Sequence, residues 1–173
     1  MKTTSQKLAV IVPAFRMHTQ NLLQVLDGIS EQDALKRIDD RTNHLIWMVG
    51  NFVNMRYGLA HALGLPDFDP YQELFVMAKA LDDKINYPSL KQLLDNFHDI
   101  SPKIFKRLQE VTDSELDMPF PIGMGIPFIH EDKLNFVGMC IGREDYLCGQ
   151  MGLMRRILNY PGVKYDLIKD IEY

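Results

Sequence analysis

The apolar residues of this 173-residue chain recur at intervals of three and four in four separate stretches. These stretches are residues 5–27, 43–63, 89–111 and about 130–159. Such intervals place the apolar side chains on one face of an α-helix, which can then pack against a core. Alternating runs joined by a two-residue turn, the pattern of a β-hairpin, do not occur in the sequence. The pattern predicts an all-α protein.

Prolines and capping residues indicate where the predicted helices begin, bend and end. Asn43 suits the N-cap of the second helix, and Gly28 suits the end of the first. Pro13 removes a backbone donor, so the first helix either kinks there or begins there with proline in its first turn. Pro102 should bend or split the third helix, and Ser101 would then cap a second start.

The segments between the predicted helices are long, and the connection 64–88 is the longest of them. Its residues 73–80 are apolar enough for a short extra helix. A link of this length can run back along a bundle roughly 30 Å long, so the second and third helices could be parallel. We therefore expect a four-helix bundle with a long crossover between helices two and three, and one domain over residues 1–173.

Charge and composition argue against several classes of function. The chain has 19 Lys and Arg against 23 Asp and Glu, a net charge of −4, and the basic residues are scattered. We therefore expect neither nucleic-acid nor anionic-membrane binding. An apolar stretch of about 20 residues and the features of a signal peptide are both missing, so a cytoplasmic location is expected. Cys140 and Cys148 lie roughly 12 Å apart along one predicted helix, too far for a disulfide, and are expected to be reduced.

Two short motifs, residues 43–51 and 143–162, resemble segments of the DinB/YfiT-like superfamily of four-helix bundles. The matching positions are Trp47, Gly50, Gly149, Gln150, Arg155 and Arg156. The resemblance implies the bundle fold and, as for many members, a homodimer. Glycine inside a helix is unfavourable and usually marks close approach of another element, so Gly50 and Gly149 predict packing contacts.

The resemblance also implies a metal site whose ligands are replaced in this chain. Metal-binding members hold a divalent ion with one histidine from the second helix and two from the fourth, four residues apart on one helix face. The corresponding residues here are Asn51, Arg143 and Leu147. None supplies an imidazole, and arginine keeps a positive charge that repels a cation. We therefore expect no metal at this place and no cofactor.

Arg143 lies within an otherwise apolar stripe, where a guanidinium needs a hydrogen-bonding partner. One explanation is a polar pocket for a small anionic molecule, formed by Arg143 with Asn51, Gln150 and Tyr146 in place of the metal. The other explanation, which we favour, is a plug: Arg143 fills the cavity and pairs with Glu144, an aspartate or a backbone carbonyl.

A different metal site is conceivable on the fourth helix, where Cys140, Glu144 and Cys148 are spaced four apart. These side chains could bind zinc together with His44 or His130. Free cysteine among apolar neighbours is more commonly a small core residue, which favours the simpler interpretation. The histidines that we interpret as surface or capping residues are His18, His61, His98 and His130.

These observations lead to three hypotheses of function. The first is a DinB-like protein that is metal-free and catalytically silent and binds a small anionic ligand or a partner. The second is a metal-dependent hydrolase or low-molecular-weight-thiol transferase with its metal moved to Cys140, Glu144 and Cys148. The third is an enzyme without a metal that uses Glu144 or Asp145 as a base near Arg143.

Overall fold

The computed structural model describes residues 2–173, and helices are their main elements. The α-helices are α1 (Ile11–Leu26), α2 (Glu31–Ala34), α3 (Leu45–Ala62), α4 (Gln72–Phe75), α5 (Leu90–Glu110), α6 (Asp113–Leu116) and α7 (Lys133–Ile157), with 3-10 turns at Gln6–Leu8 and Val76–Ala78. Within residues 2–173 the only β-type pairing is an isolated bridge between Pro119 and Asp132. The prediction of an all-α protein is confirmed. None of the helices in this range is long and apolar enough to cross a membrane.

The four long helices pack around a common core. Helix α3 packs against α5 and α7, and α1 packs against the same two helices from the other side. Each helix contributes large apolar side chains that are closed to solvent, among them Phe15, Phe52, Phe97 and Leu147. Burial of each such side chain contributes roughly 1.5–3 kcal/mol, so this core is the main source of stability.

Contacts at both ends of α3 and α5 show that these helices run in the same direction. At their beginnings the rings of His44 and Tyr87 meet edge to face, with centroids 5.1 Å apart. At their ends Arg107 Nε donates to the carbonyl oxygen of Leu63 at 3.0 Å. The connection between them must therefore return along the protein, as expected for a crossover. It contains α4, so a short extra helix is confirmed, although the α-helix ends at Phe75 and the rest of the predicted range 73–80 begins with the 3-10 turn Val76–Ala78.

One predicted helix start is wrong, and for another the structure selects one of the two predicted alternatives. The N-cap of α3 is His44 rather than Asn43, because His44 Nδ1 accepts a hydrogen bond from the backbone N–H of Trp47 at 2.9 Å. A histidine can replace the usual oxygen cap because its unprotonated ring nitrogen is also an acceptor. The first predicted stretch divides into the 3-10 turn and α1, which starts at Ile11 and holds Pro13 in its first turn, where backbone donors have no partner within the helix.

Helix α5 runs without interruption through Pro102, so the predicted split is wrong. Ser101 is not an N-cap; its hydroxyl donates to the carbonyl oxygen of Phe97 at 2.5 Å. The start of α5 is held instead by Ser89 and Gln92, whose side chains form a capping box. The end of α1 is as predicted, with Gly28 in the left-handed region at φ 71°.

Candidate functional site

Asn51 and Arg143, two of the three residues that the sequence motifs aligned with metal ligands, contact each other. Arg143 on α7 donates from Nε and Nη2 to Asn51 Oδ1 on α3, at 3.2 and 3.0 Å. Leu147, the third position, lies one turn further along α7 and is fully buried. The three positions therefore hold an amide, a guanidinium and an apolar side chain on the facing helices α3 and α7.

The crossover connection covers this place. Phe75 of α4 packs directly on Gly50, where an added Cβ would lie only 2.0 Å from the phenyl ring. Asn51 Nδ2 donates to the carbonyl oxygen of Phe75 at 3.3 Å, so both ends of the buried Asn51 amide have partners. The predicted packing role of Gly50 is confirmed, with the neighbour coming from the crossover. The packing contact predicted for Gly149 is wrong, because this glycine lies on the exposed face of α7, where an added Cβ would meet no atom within 4 Å.

The plug explanation predicted the wrong partner for Arg143. Arg143 contacts neither Glu144 nor an aspartate; it pairs with the Asn51 amide, and its guanidinium lies 5.1 Å from the centroid of the Tyr146 ring. It is also only partly buried, at the edge of the inward face of α7. The adjacent Glu144 is the charged residue that points into the core.

Tyr146 and Gln150 extend this polar chain to the surface. Gln150 Nε2 donates to the Tyr146 hydroxyl at 2.8 Å, and the tyrosine is 55% exposed. The four residues proposed for an anion pocket thus form a continuous line of contacts from Asn51 outwards. Five cavities of about 260 to 680 Å³ on the described part of the chain are lined by other side chains. This arrangement favours the plug over the pocket.

A second polar cluster, which the sequence interpretation missed, lies inside the core. Arg56 of α3 and Glu144 of α7 are both fully buried. Arg56 Nε donates to Glu144 Oε1 at 2.9 Å and Nη2 to Oε2 at 3.2 Å, while Nη1 donates to the Thr19 hydroxyl at 3.0 Å. The guanidinium also lies 3.9 to 5.1 Å from the ring centroids of Phe15, Phe52 and Phe97. Aromatic faces attract a cation, so this enclosure stabilises the arginine charge.

His18 belongs to the same cluster, and its assignment as a surface or capping residue is wrong. The residue is buried, and its Nδ1 lies 3.2 Å from Glu144 Oε2. On the other side of the ring, Nε2 lies 3.6 Å from Oδ1 of Asp145, whose side chain is 76% exposed. His18 therefore connects the buried ion pair to the edge of the molecule. His61, His98 and His130 are exposed, as predicted.

A simple pattern could have revealed this cluster. Arg56 continues the apolar stripe of α3 one turn beyond Phe52, as Arg143 does on α7. An arginine in an apolar stripe predicts a buried partner of opposite charge, and Glu144 interrupts the facing stripe in the same way. Periodicity alone does not single out His18, because the neighbouring Thr19 is also on the buried face of α1.

The structure does not assemble a metal site from Cys140, Glu144 and Cys148. Both cysteines are free and buried, and burial raises the pKa of Cys148 to about 12 and that of Cys140 well above its usual range. A protonated thiol is a poor ligand and a poor nucleophile. Both oxygens of Glu144 already contact Arg56. Residues 2–173 contain no group of three or more His, Cys, Asp or Glu side chains that could hold a metal ion.

The paired arginines at the end of α7 have different environments. Arg155 is buried and donates to the carbonyl oxygens of Val25 and Asp27, at 3.0 and 2.5 Å. It thereby satisfies carbonyl groups at the C-terminal end of α1, which otherwise lack partners. Arg156 is exposed and makes no salt bridge with any residue in the range 2–173. Only the first of the pair has a packing role.

The protein therefore has two distinct polar clusters between its helices. The Asn51 and Arg143 pair is a neutral amide bound to a cation, closed by the crossover. The Arg56, Glu144 and His18 cluster is a buried ion pair that orients an imidazole towards Asp145.

Comparison of the chain with protein-family models, curated proteins and solved structures finds no match.

Proposed function

We propose that this chain is a DinB-like four-helix-bundle protein in which a side-chain contact replaces the metal site, and that it acts by non-covalent binding. The observation that carries this proposal is the hydrogen bond between Arg143 and Asn51. These residues lie on separate helices, and the sequence motifs alone align both of them with metal ligands. Successive side chains on a helix point about 100° apart. An alignment displaced by one residue would therefore select side chains that do not make this contact.

The same contact supports the plug in preference to an anion pocket. Asn51 is 2% exposed, and its amide is used in both directions, by Arg143 and by the backbone of Phe75. A ligand at this position would have to displace one of these partners. Binding by this protein therefore belongs to another surface, and the proposal includes a homodimer of this bundle.

Restoring the histidines tests the resemblance directly. The triple variant N51H/R143H/L147H is expected to bind one Co²⁺ per chain, with the visible absorption of a site that contains protein ligands. The double variant R143H/L147H, which lacks the ligand from α3, is the matched control and should bind more weakly. Circular dichroism verifies that both variants are helical. A folded triple variant that binds Co²⁺ no better than the double variant contradicts the alignment.

The wild-type protein provides the second measurement. Purified after exposure to Zn²⁺ and Ni²⁺ and then dialysed, it should retain less than one ion per ten chains by elemental analysis, a roughly tenfold deficit against a one-to-one site. Retention of one ion per chain would show that the protein binds metal and would overturn the proposal.

A further inference from the structure

A cavity of about 260 Å³ lies between α3 and the crossover connection. From α3 it is lined by Tyr57 and His61, which are four residues apart and so lie on one face of the helix. The crossover forms the opposite wall with residues 67–69. We propose that this α3–crossover cavity binds a small methylated ammonium cation, with Asp69 as its counter-charge and Tyr57 and Phe68 as its aromatic contacts.

Asp69 brings a buried negative charge to the cavity. The residue is only 9% exposed, and its carboxylate is held by two neutral donors. Asn54 Nδ2 donates to Oδ2 at 2.7 Å, and the backbone N–H of Tyr71 donates to Oδ1 at 2.8 Å. Asp69 forms no salt bridge with another residue of the described range 2–173. A buried charge without a partner of opposite sign is unfavourable, so a bound cation would stabilise this carboxylate.

The lysine that reaches the cavity wall is already paired with other carboxylates. Lys103 Nζ lies 2.7 Å from Oδ1 of Asp67 and 2.8 Å from Oδ2 of Asp99. Together with Asp69 this gives three carboxylates against one ammonium group, a net negative charge beside the cavity. Burial, followed by the charges of Asp99 and Asp69, raises the pKa of Tyr57 to about 12, so its hydroxyl group stays neutral. The charge around the cavity therefore favours a cation over an anion.

Two aromatic rings provide the contacts that suit a methylated ammonium group. Tyr57 is 7% exposed and lines the inner side of the cavity, whereas Phe68 is 81% exposed and lines it from the crossover. The faces of aromatic rings attract cations, and quaternary ammonium groups are bound in this way. A primary ammonium group is more strongly hydrated and gives up more on entering such a site. Binding would also remove the Phe68 ring from water, which is favourable.

The volume and the side chains of the cavity favour a small organic cation over a metal ion. Pockets for drug-sized ligands have volumes of roughly 300–1,000 Å³, so a cavity of about 260 Å³ suits a smaller molecule. A divalent metal ion needs several ligands. Asp67 is occupied by Lys103, and residues 2–173 include no group of three His, Cys, Asp or Glu side chains suited to a metal. The single unpaired charge of Asp69 matches a monovalent cation.

The cation site rests on the proposed binding function and names its class of ligand, but it does not depend on the DinB-like resemblance. The cavity is lined by none of the three residues that align with metal ligands. A triple-histidine variant that fails to bind Co²⁺ would contradict the alignment and leave the cation site unaffected. Conversely, a cavity that does not distinguish choline from its analogues would contradict the cation site and leave the alignment intact.

Titration with choline chloride at constant ionic strength, followed by NMR of the choline methyl signal, tests the proposal. Saturable binding with a Kd below about 10 mM is expected. The uncharged analogue 3,3-dimethyl-1-butanol has the same shape but lacks the positive charge, and it should bind at least about tenfold more weakly. Ethanolamine keeps the charge but lacks the methyl groups, and a similar loss is expected. Absence of saturable choline binding up to about 10 mM, or equal binding of either analogue, overturns the proposal.

Single substitutions locate the site. D69N removes the counter-charge and should lower the affinity for choline about tenfold, to that of the uncharged alcohol. F68L removes an aromatic face at an exposed position, so it does not disturb folding, and it should weaken choline binding about two- to tenfold. D95N makes the same change as D69N at an exposed site on α5 and is the matched control, which should bind choline like the wild type. Circular dichroism verifies that all three variants are helical.

Two results with these variants contradict the site. If D95N weakens choline binding as much as D69N, binding reflects the net charge of the protein. If F68L and a folded D69N both bind choline like the wild type, the ligand binds elsewhere and the proposed cavity is wrong.

Discussion

Arg56 on α3 and Glu144 on α7 form an ion pair that is closed to solvent, with Arg56 Nε donating to Glu144 Oε1 across 2.9 Å. Each charge taken alone would be very unfavourable in this core, and each is compensated by the other. The aromatic enclosure of Arg56 and the His18 contact of Glu144 extend the pair across three helices. The pair therefore fixes how α1, α3 and α7 fit together.

Breaking this pair on one side should strongly destabilise the protein. Glu144→Ala leaves the buried Arg56 guanidinium without its counter-charge, so we expect the free energy of unfolding to fall by about 3–5 kcal/mol. Urea denaturation followed by circular dichroism measures the change. The double variant R56M/E144L replaces both charges by apolar groups and should recover most of the loss. A Glu144→Ala variant within about 1 kcal/mol of the wild type would show that the pair contributes little.

Adding a methyl group at Gly50 should disturb the crossover. In Gly50→Ala the new Cβ would overlap the Phe75 ring, which lies 2.0 Å away and is enclosed by the core. We expect a loss of about 1–3 kcal/mol in the free energy of unfolding, from displacement of α4. Gly138→Ala is the matched control, because its Cβ would meet no atom within 4 Å. That variant should be unchanged or more stable by up to about 1 kcal/mol. Equal effects of the two substitutions would contradict the described packing.

The extent of the middle helices could be predicted closely from sequence. The predicted stretches 43–63 and 89–111 correspond to Leu45–Ala62 and Leu90–Glu110. Their limits depend on local properties, namely apolar periodicity and capping side chains, that are readable along the chain. The predicted split at Pro102 is wrong, because Pro102 remains within α5 although proline usually interrupts a helix.

The inward face of α7 could be predicted only in part. Its apolar residues form a wide band, and both Arg143 and Glu144 fall close to it. Which of the two enters the core depends on a partner far away in sequence, since Glu144 pairs with Arg56 across 88 positions. Periodicity along one helix contains no information about that partner. For the same reason His18 was expected at the surface, although its contact with Glu144 requires burial.

The buried thiol of Cys148 should make stability depend on pH in alkaline solution. Burial raises its pKa from the usual 9.0 to about 12, so the folded protein retains a proton that the unfolded chain releases between these values. The stabilising contribution is therefore complete below pH 9 and is lost as pH rises from 9 towards 12. The loss attributable to this group can reach about 1.4 kcal/mol for each pH unit in that window.

The comparison of wild type with Cys148→Ala isolates this effect from other alkaline titrations, such as that of Tyr57, whose pKa is also raised to about 12 by burial. Urea denaturation at a series of pH values from 8 to about 11 should give a steeper decline for the wild type than for the variant, because only the wild type releases the Cys148 proton on unfolding. The variant can be less stable at every pH through lost packing, so the difference in slope is the informative quantity. Parallel declines would show that the folded protein does not hold this proton more tightly than the unfolded chain. The thiol would then be more accessible to solvent than its position beside Glu144 indicates.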